Sequence, residues 1–145
     1  MPQRSPALVL VHVVWATFRR HPMLPPEFDD RLAAILGSKA RETKCMLLAT
    51  GCASDHVHAV LRLEPSVALA NLVQKLKGAT AHDVNERHLL PHRIAWQRGY
   101  WAESLAPADR LPLEDYLRLQ RSHHDDSHPA EQWQTADWES AEGGL

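Results

Sequence analysis

The sequence predicts an α+β domain, an antiparallel sheet covered by helices. Three observations predict it. Short apolar runs of strand character stand at residues 7–17, 45–53 and 56–63, helical apolar spacing stands at 27–42, 67–87 and 113–124, and the helices fall between strand runs.

The first run, ALVLVHVVWAT at 7–17, is β-branched and apolar enough for a central strand buried on most of both faces. An Arg-, His- and Pro-rich turn, RRHPMLPPE, follows. Phe28, Leu32, Ile35 and Leu36 then recur at the spacing of an amphipathic helix over about 27–42. CMLLATGCA at 45–53 and HVHAVLRL at 56–63 read as an antiparallel hairpin joined at Ser54 and Asp55. Glu64, Pro65 and Ser66 stop the second strand, and Ser66 is the expected N-cap of a helix from 67 to about 87. Leu69, Leu72, Val73 and Leu76 form its inner face, with Gln74, Lys75 and Lys77 outside. RIAWQRGYWAESL at 93–105 reads as a strand pair bent at Arg98 and Gly99, or as one strand. Pro107 and Pro112 bracket the start of a last helix, 113 to about 124. The order is therefore βαββαββα, or βαββαβα if the bent pair is a single strand.

At 145 residues and 44% hydrophobic content, the chain suits one domain with a sizeable core. The N-terminal apolar run lacks the length and cleavage site of a signal peptide and is too short to span a bilayer. A cytoplasmic protein that uses no membrane is expected. Cys45 and Cys52 make no disulfide framework, which fits a reducing compartment. The formal charge of −2 argues at first against a nucleic-acid partner. Its distribution argues otherwise: residues 1–121 hold all sixteen Lys and Arg against twelve Asp and Glu, and residues 122–145 hold six acids with no Lys or Arg. The expected division is a domain at 1–124 and an acidic, partly disordered tail at 125–145. The alternative is a tail that docks through Trp133 and Trp138 or competes with DNA for the basic face.

Two constellations carry chemistry. In His56-Val57-His58, residues two apart on a strand point the same way, so two imidazoles stand side by side as metal ligands do. Alone, the pair is read more simply as a polar, solvent-facing pair on a half-exposed strand. On the last helix Tyr116 and Gln120 are four apart and share a face. Tyr116 fits the edge of a core, but a phenolate can also attack a phosphodiester and store the bond as a phosphotyrosine ester. A metal beside it would polarise the scissile phosphate.

With these pieces in order, HVVWATFRRHPML, SDHVHAVLRL, LVQKLKGATAH, AWQRGYWAES and DYLRLQRSHH, the chain resembles the single-tyrosine HUH transposases of bacterial insertion sequences. That family comprises the TnpA-like enzymes and the REP-associated tyrosine transposases, and the resemblance runs from about 8 to 124. It implies a ferredoxin-like HUH endonuclease fold and a homodimer in which each tyrosine helix can serve the partner's site. It implies His56, His58 and Gln120 as metal ligands, Tyr116 as nucleophile, and Mg²⁺ or Mn²⁺ as the ion, a ligand set softer than Mg²⁺ prefers making Mn²⁺ at least as good. The implied reaction makes a 5′-phosphotyrosine and a 3′-hydroxyl on single-stranded DNA marked by imperfect hairpins, with no nucleotide cofactor. Trp101-Ala102-Glu103-Ser104 and the acidic extension depart from the family's pattern.

Arg19, Arg20, Lys75, Lys77, Arg93 and Arg98 are the candidate DNA contacts, with Trp96 as a base platform or, alternatively, core. Asp55 reads as a group that orients a metal-bound imidazole or, equally, as a turn acid. His123 or His124 reads as an exposed helix-end histidine or as a further ligand or proton shuttle. His12 reads as a satisfied core histidine. The competing functions are a hairpin-binding protein that does not cut, and a replication-initiator or relaxase HUH nuclease.

Overall fold

Alternation along two neighbouring strands organises the molecule. The computed structural model describes residues 6–123 and 127–135. It contains β1 (Leu10–Ala16), α1 (Asp29–Glu42), β2 (Met46–Cys52), β3 (His56–Arg62), α2 (Leu69–Glu86), β4 (Trp101–Leu105) and α3 (Pro107–Arg118), the second of the two orders expected. The sheet runs β2-β3-β1-β4, with every pairing antiparallel. This is the ferredoxin-like arrangement.

All seven residues of β1 are buried, as the unbroken apolar run requires of a central strand. One face of β1 and β3, through Val11, Val13, Trp15, Val57, Ala59 and Leu61, joins the larger core. Leu32 and Leu36 of α1 and Leu72 and Leu76 of α2 cover it, each at most 1% exposed. Each such side chain contributes roughly 1.5–3 kcal/mol of burial. The other face presents His12, Val14, Ala16, His56, His58 and Val60, and α3 packs there through Leu113, Tyr116 and Leu117.

Several boundaries differ from expectation for identifiable reasons. Ser66 does not cap α2, whose N-cap is Ala68 with no side-chain cap; Ser66 bonds instead to the Glu64 carboxylate through its backbone N–H and its hydroxyl. A 3₁₀ turn at Pro26–Phe28 precedes α1, set by consecutive prolines. Residues 94–100 are not a strand. Asn85 pairs with both the carbonyl and the N–H of Ile94, at 2.9 and 2.8 Å, doing what a strand neighbour would otherwise do, and only an isolated Thr17–Trp96 bridge remains.

The last helix begins earlier and ends earlier than 113–124. Pro107 sits at its first position, where a missing N–H costs nothing, and Pro112 lies inside. After Arg118 the chain leaves α geometry at Leu119 and makes a 3₁₀ turn, Gln120–Ser122. Arg121 holds that turn by a two-point contact with Asp29, at 2.7 and 2.9 Å, and a bond to the Leu24 carbonyl.

The approach of α3 to the sheet depends on Gly51, opposite His58 in the β2–β3 register. A Cβ there would lie 2.8 Å from the Leu117 carbonyl oxygen and 2.9 Å from its Cβ. Gly51→Ala is therefore expected to destabilise the protein by about 1–3 kcal/mol through overpacking. Urea denaturation checks this, and an unchanged midpoint would show that α3 can retreat freely.

Candidate active site

The imidazoles of His56 and His58 stand on the α3 face of β3, as strand alternation dictates, with ring centroids 5.1 Å apart. His58 is fully buried, and its Nδ1 meets Nε2 of His12 on β1 at 2.8 Å, one ring donating and the other accepting. His12 is thus the satisfied core histidine expected, and its partner is a site residue. Burial drives His12 down to about 3 and His58 to about 4, so both are neutral rings near neutral pH. Neutral imidazole is the form that binds a metal. His56 Nδ1 lies 2.8 Å from Asp55 Oδ1, and Arg20 Nε donates to Asp55 Oδ2 at 3.0 Å. Burial raises the Asp55 carboxyl, but the His56 and Arg20 hydrogen bonds outweigh it and hold the group below its usual range. Asp55 and His12 therefore each fix the ring of one of the paired histidines.

Tyr116 and Gln120 reach the same place, although Gln120 sits on the 3₁₀ turn and not on the α-helix. They converge on a residue absent from the expected set. Glu131 Oε1 accepts from the Tyr116 hydroxyl at 3.0 Å and from Gln120 Nε2 at 2.9 Å, and lies 3.4 Å from His58 Nε2. Glu131 Oε2 accepts from Trp133 Nε1 at 2.8 Å and lies 3.8 Å from His56 Nε2. Gln120 Nε2 is 3.4 Å from His56 Nε2. Burial raises the Glu131 carboxyl, but His58, Gln120 and Trp133 outweigh it and hold the group well below the usual range. The phenol and the paired imidazoles meet within one chain.

Glu131 belongs to a 3₁₀ segment, Pro129–Thr135, laid across the sheet. Trp133 is fully buried there, against Val14 and Ala16, with its ring 4.7 Å from His56. Docking through Trp133 is what the alternative reading of the acidic extension anticipated; Trp138 and His124 lie outside the described residues. The signal for Glu131 was weak, one acid among six, and an apolar anchor two residues on was its only pointer. His123 stacks on the Tyr116 ring at 4.0 Å and bonds to the Tyr116 carbonyl, while His128 stacks on the ring at 3.8 Å. His123 is thus committed to the tyrosine and is not among the groups converging on Glu131. A cleft of about 430 Å³ opens beside these groups, lined by His56, Tyr116, Gln120, Arg121, His123 and Glu131 among others.

The donor set fits a divalent cation. Gln120 Oε1 is buried with no hydrogen-bond partner among the described residues, and the buried His58 Nε2, 3.4 Å from Glu131 Oε1, would offer its lone pair to a cation in the tautomer that donates Nδ1–H to His12. His56, His58 and Glu131 bring one ligand atom each within 4.8 Å of one another.

The six candidate DNA contacts divide. Arg19, Arg93 and Arg98 are exposed, and Arg19 borders the 93–99 segment through its backbone N–H to Gln97 Oε1. Arg20 is committed to Asp55 and lies over the Trp133 ring at 4.5 Å. Lys75 pairs with Glu42 at 3.1 Å, and Lys77 donates to the carbonyls of Gln97 and Gly99. Trp96 is core, 5% exposed, its Nε1 donating to the Lys77 carbonyl.

His12→Phe keeps an aromatic ring at this position but removes the partner of His58 Nδ1. It is expected to cost about 1–3 kcal/mol, the penalty for an orphaned buried polar group, measurable by chemical denaturation; no loss would show that His58 needs no anchor.

Comparison with known proteins agrees with this geometry. The family profile described as Transposase IS200 like matches residues 7–120. The ISDra2 transposase TnpA of Deinococcus radiodurans is 27% identical over 114 residues, covering 75% of this chain and 81% of that protein. The transposase for insertion sequence element IS200 of Salmonella typhimurium is 23% identical, covering 75% and 74%. A crystal structure from Deinococcus radiodurans, solved as that of a candidate transposase, superposes with a TM-score of 0.63 at 28% identity, covering 83% of this chain and 97% of that one. A REP-associated tyrosine transposase bound to a REP hairpin shares the fold, with a TM-score of 0.57 at 14% identity over 82% and 72%. A histidine pair and a tyrosine gathered at one cleft, on a chain whose profile match spans almost all of its folded body, make this protein a member of the IS200-like transposase family.

Proposed function

We propose that this protein cuts and rejoins single-stranded DNA at hairpin-marked sites through a 5′-phosphotyrosine. The observation that carries the reading is the meeting of the Tyr116 hydroxyl, the Gln120 amide and the His58 imidazole at one carboxylate oxygen. Tyr116 Oη attacks the scissile phosphorus, the bond to the 3′ oxygen breaks, and that oxygen leaves as a hydroxyl with the proton the phenol gives up. Phosphoester energy is conserved in the tyrosyl ester, so the released hydroxyl, or another, can attack it in turn without ATP. His56, His58 and Gln120 would hold Mg²⁺ or Mn²⁺, which supplies charge neutralisation at the phosphate.

The stacking of Tyr116 on His123 and His128 supports a ring held in one orientation. Because the tyrosine and the histidines meet in one chain, cleavage in cis is favoured, within the homodimer that the family resemblance implies. Arg19, Arg93 and Arg98 are proposed to meet the phosphate backbone. Hairpin recognition is proposed by extension from the hairpin-bound structural neighbour. Residues 1–124 are read as the catalytic domain and 125–145 as its extension, acting on DNA in the cytoplasm; among the described residues, no helix is long and apolar enough to cross a membrane.

Tyr116→Phe is expected to abolish the covalent protein–DNA adduct, seen as a shifted band on denaturing gels, while leaving hairpin binding within about twofold, since a single hydroxyl adds little to a phosphate-dominated interface. Equal adduct from wild type and variant would remove Tyr116 from its role. His56→Ala is expected to lose divalent-metal affinity and cleavage together. Unchanged cleavage in a chelator would contradict the metal assignment.

A further inference from the structure

We infer that Glu131 is itself a ligand of the catalytic cation, so that the acidic extension supplies a carboxylate to a site otherwise built from two imidazoles and an amide. Glu131 is 3% exposed, and its neighbours within ion-pair distance among the described residues are only the imidazoles of His56 and His58. Its side-chain hydrogen-bond donors among the described residues, Tyr116, Gln120 and Trp133, are neutral. The nearby guanidinium of Arg20 bonds to Asp55 and Gln134 instead. An ionised carboxylate taken out of water without a cation is costly, and buried charges are as a rule paired or bound to metals.

A second observation is independent of the first. Gln120 Oε1 is buried without a hydrogen-bond partner among the described residues, His58 Nε2 is buried 3.4 Å from Glu131 Oε1, and both are on side chains in contact with this carboxylate. A cation held between the carboxylate and the His56 and His58 imidazoles would supply the positive charge that Glu131 lacks and an acceptor for the His58 Nε2 lone pair. Two imidazoles and a carboxylate form the mixed nitrogen and oxygen set suited to a divalent ion of the Mn²⁺ type. Trp133 Nε1 holds the second carboxylate oxygen and so orients the group, as supporting hydrogen bonds commonly do for ligating carboxylates.

This inference rests on the metal site proposed above, and the experiment separates the two. Full-length wild type, Glu131→Gln, Glu131→Asp and His56→Ala are titrated with Mn²⁺ by calorimetry, and the visible spectra of their Co²⁺-loaded forms are recorded, without DNA. Glu131→Gln should bind Mn²⁺ more than about a hundredfold more weakly, beyond the tenfold to hundredfold that loss of an outer-shell partner costs, and shift the Co²⁺ bands, and Glu131→Asp should recover part of the affinity. Wild-type affinity and bands in Glu131→Gln, with both lost in His56→Ala, would overturn the ligand role and leave the histidine site standing. Weakened binding with unshifted Co²⁺ bands would also overturn it, because only the inner coordination shell sets those bands. Undiminished Mn²⁺ binding in His56→Ala would remove the metal site itself. If Glu131→Gln fails to fold, Glu131→Ala decides, wild-type Mn²⁺ affinity with unshifted Co²⁺ bands overturning the ligand role.

Discussion

The structure depends on one constraint: β1 and β3 are buried on both faces, so alternation along them divides two chemistries. Odd-numbered residues, from Val11 to Trp15 and from Val57 to Leu61, enter the main core; even-numbered ones put three imidazoles under α3. A one-residue slip of β3 against β1 would exchange the faces, driving His56 and His58 into a leucine-lined core. Each bare imidazole nitrogen buried there would cost on the order of 1–3 kcal/mol, so the apolar pattern that makes the fold also protects the register of the site.

The polar face is made tolerable by pairing at each step. His12 answers one nitrogen of His58, and Asp55, itself held by Arg20, answers one nitrogen of His56. What remains unanswered points inward, toward the carboxylate. The tyrosine arrives because Gly51 lets α3 lie against β2, and because Arg121 ties the following turn to the start of α1. The glycine and the arginine sit outside the chemistry, yet they position Tyr116 and Gln120 beside the imidazoles.

Period-based features were legible in the sequence. Strand alternation placed His56 and His58 on one face, and helical spacing identified α1 and α2, because burial on a periodic scaffold is repeated in the residues themselves; the prolines set the last helix to start at 113, although it begins at Pro107. Features decided by competition between polar groups were not legible. Ser66 could bond forward to a helix or back to Glu64, and only the folded geometry selects Glu64. Lys75 and Lys77 read as free cations, but one pairs with Glu42 of α1 and the other with two carbonyls of the 97–99 segment, partners far away in sequence. Asn85 replaces a strand neighbour for Ile94, a substitution that no propensity encodes.

Glu131 escaped the sequence reading for a different reason. A charge total treats the acids of residues 122–145 as interchangeable, solvated and repelled by DNA, whereas burial removes one of them from that sum. Glu131 is nearly inaccessible, so its negative charge acts over hydrogen-bond distances on Tyr116, Gln120 and the imidazoles, where the local dielectric is low. An exposed carboxylate a Debye length away would be largely screened. The apparent conflict between a net charge of −2 and a nucleic-acid substrate therefore weakens on inspection. The body carries an excess of Lys and Arg, and at least one acid of the extension is held against Tyr116, Gln120 and the imidazoles, where it bears on those groups far more than on the long-range field of the protein.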